Sequence, residues 1–407
     1  MSDLRRFEDL YRDLHAHPEL GFEEHRTAAI ASKWMSSLGL SVTEGIGGTG
    51  VAAVLENGVG PVVWLRADMD ALPVEEKTGL DYASAASAVG ADGRETPLMH
   101  ACGHDMHITW LVGAVERLAM DRSEWSGTVV AIFQPAEETM VGAKAMIADG
   151  LLDRVPGPSI VLGQHVAPFP AGVISLTSGA AMAGVDDVSV VLHGAGGHGS
   201  RPETTIDPVL AAASTVVRLQ SIVSREVTPG KLAVVTVGRI HAGTKSNIIP
   251  DEATLDINIR TIDPEIRERV LDSVRRIVEG ERTASGMTTP PTITMNLSAP
   301  ATVNSAEHTE RLRDRFTQEW GDAIIDYGTV SGSEDVGQLA AAAGVPLVFW
   351  ITGGSDPATI LAAQDAGRFE QDIPSNHSPY FAPVLHPTIE RGIDAFVVGA
   401  RTFLEAP

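Results

Sequence analysis

Apolar residues in the first 180 positions follow two alternating patterns, one of helical spacing and one of short continuous runs. The first helical pattern ends before Pro18 and has these apolar positions: Leu4, Phe7, Leu10, Tyr11 and Leu14. Further helices are predicted over 23–38, 106–120 and 141–149. Continuous runs predict short buried strands at 50–55, 61–65, 127–133, 159–163 and 172–176. Buried strands that alternate with helices are typical of an α/β sheet with helices on both faces.

Residues 184–297 have a different pattern, which we interpret as an inserted domain. Asp207-Pro208 and Asp263-Pro264 each place an N-cap residue before a first-turn proline, so each predicts the start of a helix. We expect the second of these helices to end near Gly280. Strands are predicted at 185–192, 231–239, 253–260 and 292–296. The resulting order, strand-helix-strand-strand-helix-strand, is that of a split βαβ unit, a small α+β domain with one sheet.

After residue 300 the first pattern returns. Helices are predicted at 305–319, 334–343 and 388–404, and a strand at 345–351. The simplest account is a mixed-sheet α/β catalytic domain made of residues 1–183 and 298–407. The α+β domain at 184–297 then interrupts it.

The composition excludes several classes of protein. The 407 residues are 43% hydrophobic and 20% charged, which is ordinary for a folded globular chain. Thirty basic and 53 acidic residues give a formal charge of −23, and such a surface repels nucleic-acid phosphates. One cysteine excludes an internal disulfide framework. No apolar run approaches the roughly 18 residues of a membrane helix, and we see no secretory signal, so we expect a cytoplasmic protein.

The single cysteine lies in a segment that is dense in metal-ligand residue types, MHACGHDMH at 99–107. Cys102 and His104 flank a glycine that lets the backbone turn tightly, and His107 follows. For Cys102 taken alone, a buried structural cysteine is the better interpretation. With the clusters described below, we interpret the segment as metal-binding.

Two adjacent carboxylates, Glu137 and Glu138, follow the predicted strand at 127–133. Polar groups at the C-terminal end of such a strand face the usual ligand crevice of an α/β sheet. Adjacent carboxylates repel each other unless a cation or a shared proton stabilises them, so one would bind metal and the other would move protons. We interpret the doublet Glu23-Glu24, by contrast, as an ordinary solvated pair.

Other candidate residues lie in three further segments. His165 ends a predicted strand, and His377 lies in the loop SNHSPYF before the last helix. Asp68 would orient a ligand histidine through its second ring nitrogen, whereas Asp70 would cap the following turn locally.

Together these segments supply five candidate metal ligands: Cys102, His104, Glu138, His165 and His377. Five ligands suit two divalent cations with exchangeable positions left open, and such a pair would share a water and lower its pKa. Glu137 would take the proton of that water and return it to a leaving amine. The sulfur, nitrogen and oxygen donors fit Zn²⁺, Mn²⁺, Co²⁺ or Ni²⁺ rather than Mg²⁺ or Ca²⁺.

Nine motifs, in order along nearly the whole chain, resemble the dinuclear metallopeptidase family of aminoacylase, carboxypeptidase G and succinyl-diaminopimelate desuccinylase. The similarity is greatest to its amidohydrolase branch, which includes hippurate hydrolase, N-acyl-amino-acid amidohydrolases and indole-acetyl-amino-acid hydrolases. The motifs are LHAHPELGFEE (14–24), LRADMDALPVEE (65–76), MHACGHDMH (99–107), FQPAEE (133–138), GQHV (163–166), GGHGSRPE (196–203), KSNIIPDEATLDINIRT (245–261), SGSED (331–335) and NHSPYF (376–381).

The resemblance implies a metal-dependent hydrolase that cleaves the amide bond of small N-acyl amino acids. It implies the same five ligands, with Glu137 as the base and Asp68 as an active-site residue. The inserted domain would be a lid that also forms homodimers. His198 would polarise the substrate carbonyl, and Asn247 and Arg260 would lie near the substrate carboxylate.

Local structure offers an alternative explanation for several of these residues. His198 lies in a glycine-rich loop where it would be a turn residue, Asn247 would cap a turn, and Arg260 would pair with an acid. We interpret His15 and His17 as structural residues at a helix end.

The chain also departs from the family pattern at three places. Position 66 is Arg where distant relatives have a ligand histidine, so Arg66 is not expected to bind metal. Gln164 and the segment 355–359 are unusual for the branch, and we expect both to alter the acyl pocket.

Three other functions are consistent with parts of this pattern. A dipeptidase or carboxypeptidase would use the same fold and metal site. A binding or regulatory protein with a decayed site is disfavoured, because the ligand and base set is complete. A cysteine hydrolase would use Cys102 with a nearby histidine, and removal of metal would leave its activity unchanged.

Overall fold

A computed structural model of the chain describes residues 4–89 and 93–405. The chain forms two compact units. Unit 1 comprises Met1–Ala181, Val303–Thr329 and Asp335–Pro407, and unit 2 comprises Met182–Thr302 and Val330–Glu334. The chain passes between the units four times: in the strands Gly179–Met182 and Thr302–Asn304, between Thr329 and Val330, and between Glu334 and Asp335. Among the described residues, no helix is both long enough and apolar enough to cross a membrane.

Unit 1 contains a mixed eight-stranded sheet. Its strands lie side by side in the order Ser41–Ile46, Gly50–Asn57, Gly127–Gln134, Val62–Asp68, Ile160–Pro170, Leu347–Ser355, Ile174–Ser175 and Ile324–Ile325. The third to sixth strands of this order are mutually parallel, and the second is antiparallel to the third. The carboxyl ends of the four parallel strands therefore meet at one edge of the sheet. A separate pair, Ser87–Val89 and Glu95–Pro97, is antiparallel.

Helices cover both faces of this sheet, as the sequence predicts. On one face, Val63 and Leu65 belong to a hydrophobic core shared with the helices Arg5–His15, His25–Ser37, His104–Met120, Ala306–Trp320 and Thr388–Phe403. On the other face, Trp64 and Arg66 are also buried, and Gly163 lies against Val336. The remaining helices of unit 1 are Gly142–Ala148, Leu151–Arg154, Gly337–Ala343, Pro357–Asp365 and Phe369–Asp372.

Unit 2 is a four-stranded antiparallel sheet with two helices. The spatial strand order is Ala233–Ala242, Glu252–Thr261, Gly184–His193 and Thr292–Ala299. Its hydrophobic core joins alternate strand residues to the helices Pro208–Ser221 and Pro264–Ala284. The predicted strand-helix order is confirmed, and the Asp207 and Asp263 carboxylates accept hydrogen bonds from the first turns of the two helices. A short hairpin pairs Gly197–His198 with Ile248–Ile249.

Three predicted boundaries were wrong, and for two of them the conformation of a nearby glycine gives the reason. The second helix of unit 2 passes through Gly280 and ends just before Gly286, which has the left-handed φ of +72°. The long helix of unit 1 begins at His104 rather than 106, because Gly103 takes a left-handed φ of +86°. His165 lies inside the strand Ile160–Pro170 and not at its end.

Candidate metal centre

The candidate site is at the sheet edge where the parallel strands end. Asp68 and Gln134 are register partners at the ends of neighbouring strands, and the chain continues from Gln134 directly to Glu137 and Glu138. Cys102 precedes the helix His104–Met120 in a tight turn. A Cβ on the intervening Gly103 would be 2.4 Å from a methyl of Val166, so only glycine fits there without displacement.

The fold brings all five candidate ligands together. The donor atoms of Cys102, His104 and His165 all lie within 4.8 Å of one another, and so do those of Cys102, Glu138 and His377. Cys102 Sγ is 3.4 Å from His165 Nε2, and Glu138 Oε1 is 3.3 Å from His377 Nε2. The arrangement is therefore two overlapping donor groups that share one thiol, assembled from residues 275 positions apart in the sequence.

The hydrogen bonding around two of these histidines fits a metal ion. Among the described residues, the fully buried Nε2 of His104 has no hydrogen-bond partner. It lies 3.6, 3.8 and 3.9 Å from carboxylate oxygens of Asp68, Glu137 and Glu138, respectively. His165 Nδ1 donates to the carbonyl of Val166, which leaves its Nε2 lone pair facing Cys102. A buried, unpartnered imidazole nitrogen among carboxylates is the environment that a cation would satisfy.

The electrostatics of the site favour positive charge. Burial alone lowers the pKa of His104, but the Asp68 charge and then Asp70 outweigh burial and raise it to about 10. Burial, and secondly the charges of Glu138 and Glu137, raise the pKa of the Cys102 thiol well above its usual value. Both a nucleophile and a metal ligand require the thiolate, and among these carboxylates the thiolate is favoured only beside a cation, which fits a metal ligand better than a free nucleophile.

Asp68 contacts a histidine that is not among the five candidate ligands. Its Oδ1 is 2.5 Å from His107 Nδ1, while the backbone N–H of Val166 donates to His107 Nε2. Nε2 is thus an acceptor, so the neutral ring carries its proton on Nδ1 and donates it to Asp68. Both ring nitrogens of His107 are therefore hydrogen-bonded. The hydrogen bond of Asp68 orients His107 and does not go to the second ring nitrogen of a candidate ligand histidine.

Arg66 supplies a permanent cation on the same strand. It is fully buried and donates to Asp68 Oδ2 at 2.7 Å, to Gln134 Oε1 at 2.9 Å and to Asp335 Oδ1 at 3.1 Å. The guanidinium compensates the buried charges of Asp68 and Asp335. This contact set is consistent with the expectation that Arg66 is not a metal ligand.

Two carboxylates near the site were misjudged from the sequence. Asp70 does not cap its own turn, because its carboxylate accepts from the backbone N–H groups of Glu137 and Glu138. Glu24 is not solvated, since its side chain is fully buried, whereas Glu23 is exposed. A usable signal for Asp70 was its spacing of two from Asp68, which places both on one side of an extended segment.

The three candidate substrate residues lie in unit 2. His198 is exposed, and its Nδ1 accepts from the backbone N–H of Ser200 at 3.1 Å. Asn247 is exposed, and its carbonyl accepts from Gly199. Arg260 is half-buried, donates to Asn258 and Ser333, and interacts electrostatically with the acidic Asp187.

The two histidines of the first motif differ in their partners, since His15 contacts distant residues and His17 contacts its own helix. His15 is fully buried, with Nδ1 2.6 Å from Asp105 and Nε2 3.1 Å from Glu76. His17 is exposed, and its Nδ1 is 2.7 Å from the carbonyl of Asp13 at the end of the same helix.

Gln164 and the segment 355–359, which were expected to alter the acyl pocket, make hydrogen bonds within unit 1. Gln164 Oε1 accepts from Trp350 and Thr352, and its amide donates to the carbonyl of Gly392 in the last helix. Strand alternation places Gln164 on the face opposite His165, so it joins the helix to the sheet. In segment 355–359, Asp356 is the N-cap of the helix Pro357–Asp365.

Comparison with known proteins gives a consistent result. The model of the family described as Peptidase family M20/M25/M40 matches residues 64–375. The hippurate hydrolase of Campylobacter jejuni is 39% identical over 335 residues, covering 81% of this chain and 84% of that protein. Thermostable carboxypeptidase 1 of Saccharolobus solfataricus is 36% identical over 343 residues, covering 82% and 84%. A Bacillus subtilis structure described as a dinuclear metal binding peptidase of this family aligns with a TM-score of 0.78, 29% identity and coverage of 100% and 99%.

Proposed function

The chain belongs to peptidase family M20/M25/M40, and we propose that it is a metal-dependent hydrolase that cleaves the amide bond of N-acyl amino acids. One observation carries the proposal: two donor groups share Cys102, and the buried Glu137 carboxylate lies beside them. The similarity to hippurate hydrolase over four-fifths of the chain supports the choice of substrate class.

The two donor groups would each hold one divalent cation. Cys102, His104 and His165 form the first group, and Cys102, Glu138 and His377 form the second. When bound, the cations supply Lewis acidity, which polarises a carbonyl and lowers the pKa of a water molecule. The thiolate and imidazole donors favour Zn²⁺, Mn²⁺, Co²⁺ or Ni²⁺ over Mg²⁺ and Ca²⁺.

Glu137 would be the general base and then the general acid. Its Oε2 is 3.8 Å from His104 Nε2, so the carboxylate faces the donor groups and does not face solvent. It would take a proton from the attacking water and deliver the same proton to the departing nitrogen. The backbone N–H of Glu137 is held by Asp70, which limits the movement of the carboxylate.

The residues of unit 2 would bind the rest of the substrate. Because the Ser200 N–H donates to Nδ1 of His198, the neutral ring carries its proton on Nε2 and can donate it to a carbonyl oxygen. Among the described residues, the hydrogen-bond partners of Arg260 are neutral, which favours pairing with a substrate carboxylate. Asn247 would assist it.

We also propose that the protein is a cytoplasmic homodimer whose lid, unit 2, makes the subunit contact. The single cysteine suits a reducing compartment, and the family resemblance implies the dimer. Exposed apolar side chains on the helix Pro208–Ser221 are compatible with a subunit contact: Val209, Leu210 and Val217. Determination of the molar mass in solution by light scattering tests whether the protein is a dimer.

A panel of substrates tests the main proposal. The metal-free protein is reconstituted with Mn²⁺ or Zn²⁺ and assayed with N-acetyl and N-benzoyl amino acids, free dipeptides and longer peptides. We expect kcat/KM for the best N-acyl amino acid to exceed that for every peptide at least tenfold. The chelated protein is the control.

The similarity to thermostable carboxypeptidase 1 favours one alternative, a carboxypeptidase that uses the same site. Faster release of a C-terminal amino acid from peptides than from N-acyl amino acids would establish it in place of the amidohydrolase.

A further inference from the structure

Two buried carboxylates hold three successive backbone N–H groups in the loop that carries the catalytic glutamate. The Ala136 N–H donates to Glu24 Oε1 at 2.8 Å. The N–H groups of Glu137 and Glu138 donate to the two oxygens of Asp70 at 3.0 and 2.9 Å. Both carboxylates are at least 99% buried. Charged acceptors in buried surroundings make strong hydrogen bonds to backbone amides, so these three bonds fix the loop closely.

The loop needs such support because its backbone is strained. Ala136 has a φ of +49° and Met140 a φ of +55°, and neither is a glycine. A non-glycine residue in this region costs on the order of 1–3 kcal/mol and persists only where its surroundings hold it. Gly21 packs so closely that an added Cβ would be 3.0 Å from Ala136 Cα, which places the segment of Glu24 directly against the loop.

Asp70 also contacts one of the candidate ligands. Its Oδ1 lies 3.3 Å from His104 Nδ1, an electrostatic contact, because among the described residues neither ring nitrogen of His104 has a hydrogen-bond partner. A carboxylate behind an imidazole favours the tautomer with the proton on Nδ1, which leaves the Nε2 lone pair available for a cation. One side chain therefore links the backbone of the proposed base, the backbone of Glu138 and the ring of His104.

We propose that Asp70 and Glu24 are positioning residues, which fix Glu137 and Glu138 relative to His104 without touching the substrate. The kinetic part of this inference rests on the proposed function, because it takes Glu137 to be the base. The part that concerns metal binding depends only on the donor groups.

The chemistry of the acceptors defines the variants. Asp70→Asn keeps one acceptor oxygen but in either orientation turns an N–H₂ donor toward the backbone N–H of Glu137 or of Glu138, so at least one backbone hydrogen bond is lost. Glu24→Gln keeps the bond to the Ala136 N–H, and its amide can donate to the Thr49 hydroxyl that bonds Glu24. Glu24→Ala removes the acceptor. Glu23→Gln changes an exposed neighbour and is the matched control.

The first measurement is calorimetric titration of each metal-free variant with Zn²⁺ alone. We expect Asp70→Asn to weaken Zn²⁺ binding by about 10- to 100-fold, the range typical for loss of a carboxylate behind a metal-bound histidine. Glu24→Ala is expected to weaken it less, and Glu24→Gln and Glu23→Gln to stay within about threefold of the parent protein. If Asp70→Asn binds Zn²⁺ as tightly as the parent protein, Asp70 does not support metal binding.

The second measurement separates positioning from simple loss of structure. With saturating metal, we expect Asp70→Asn and Glu24→Ala to lower kcat at least tenfold while KM changes less than threefold, with Glu24→Gln restoring kcat. Equal losses in Glu24→Gln and Glu24→Ala would refute positioning through the Ala136 bond. If Asp70→Asn does not fold, as judged by circular dichroism, the Glu24 pair decides the question.

A parent protein that binds Zn²⁺ but hydrolyses no N-acyl amino acid would refute the proposed function alone. The titrations would then still decide whether Asp70 supports the metal site.

Discussion

The two units of this chain bury polar side chains in different ways. In unit 1, charged groups without exposure to solvent gather at one sheet edge: Arg66, Asp68, Asp70, His104, Asp105 and Glu137. In unit 2, the buried acidic side chains among the described residues are Glu334 and Asp186. Arg267 compensates the charge of Asp186 through two bonds, and the Ser298 hydroxyl donates a third.

The difference follows from what each arrangement requires. A buried charge is costly unless it is paired and hydrogen-bonded, so a core without a chemical role contains few charged side chains. Unit 1 instead holds several carboxylates close together, and Arg66 compensates two of them. Other carboxylates, Glu137 and Glu138 among them, lie beside the candidate ligand His104. A site that binds cations would explain this concentration of negative charge.

Removal of metal is the most severe test of this contrast. We expect exhaustive dialysis against a chelator to reduce amide hydrolysis by at least 10³-fold, because the Lewis acid that activates water is lost. Activity should return on addition of Mn²⁺ or Zn²⁺ but not of Mg²⁺. Full activity in protein shown by elemental analysis to be metal-free would eliminate the metal mechanism and favour the thiol of Cys102.

Glu137→Gln is expected to have the next largest effect. The amide preserves the size of the side chain but cannot accept a proton from water, so kcat should fall by about 10³-fold or more. Because Glu137 is not a ligand in our proposal, elemental analysis should find the same metal content as in the parent protein. Glu75→Gln, at a side chain that is 67% exposed, is the control. Near-normal kcat would exclude Glu137 as the base.

The buried charges of unit 1 also predict a dependence of stability on pH. Burial lowers the pKa of His15, but the charge of Asp105 and the hydrogen bonds to Asp105 and Glu76 outweigh it and raise the pKa to about 9. Since the folded state binds this proton more tightly, His15 stabilises the protein below about pH 6.5, and the effect is lost as pH rises through 9. Its size is about 3 kcal/mol.

Thermal unfolding of the parent protein and His15→Asn at several pH values measures this effect. The difference in stability between them should be largest near pH 6 and should narrow toward pH 9.5. A difference that is constant over this range would mean that His15 is neutral in the folded protein.

The smallest expected effects are changes in stability of unit 2, where a buried ion pair can be compared with an exposed one. Asp186→Asn removes the charge that faces the partly exposed Arg267, and we expect it to cost about 2 kcal/mol, below the usual range for a fully buried pair. Asp272→Asn breaks the exposed pair with Arg275 and should cost less than about 1 kcal/mol. Equal shifts in unfolding temperature would contradict the distinction between buried and exposed pairs.

The elements of the fold were predictable where local signals agreed. The Asp-Pro starts of both helices in unit 2 were visible because capping involves residues two or three positions apart. The continuation of the second helix past Gly280 was not predictable in this way. It depends on the apolar packing of Val274, Ile277 and Val278, which outweighs the small intrinsic cost of one glycine.

Candidate site residues were identified in the sequence from residue type and from their place after strands, as Glu137 and Glu138 illustrate. The partners of Asp70, Glu24 and Gln164 were not, because each binds groups more than 60 residues away. The burial of a side chain and the direction of its hydrogen bonds depend on which distant segment packs against it.

The sequence by itself determined the two kinds of folded unit, the family and the set of donor atoms, because periodicity, capping and residue chemistry are local properties. Only the tertiary structure decided which carboxylates lie beside the candidate ligands, which one contacts His107 and which ones bond the backbone of the loop of Glu137. Those assignments depend on contacts a few ångströms long between distant segments, and residue order does not specify such contacts.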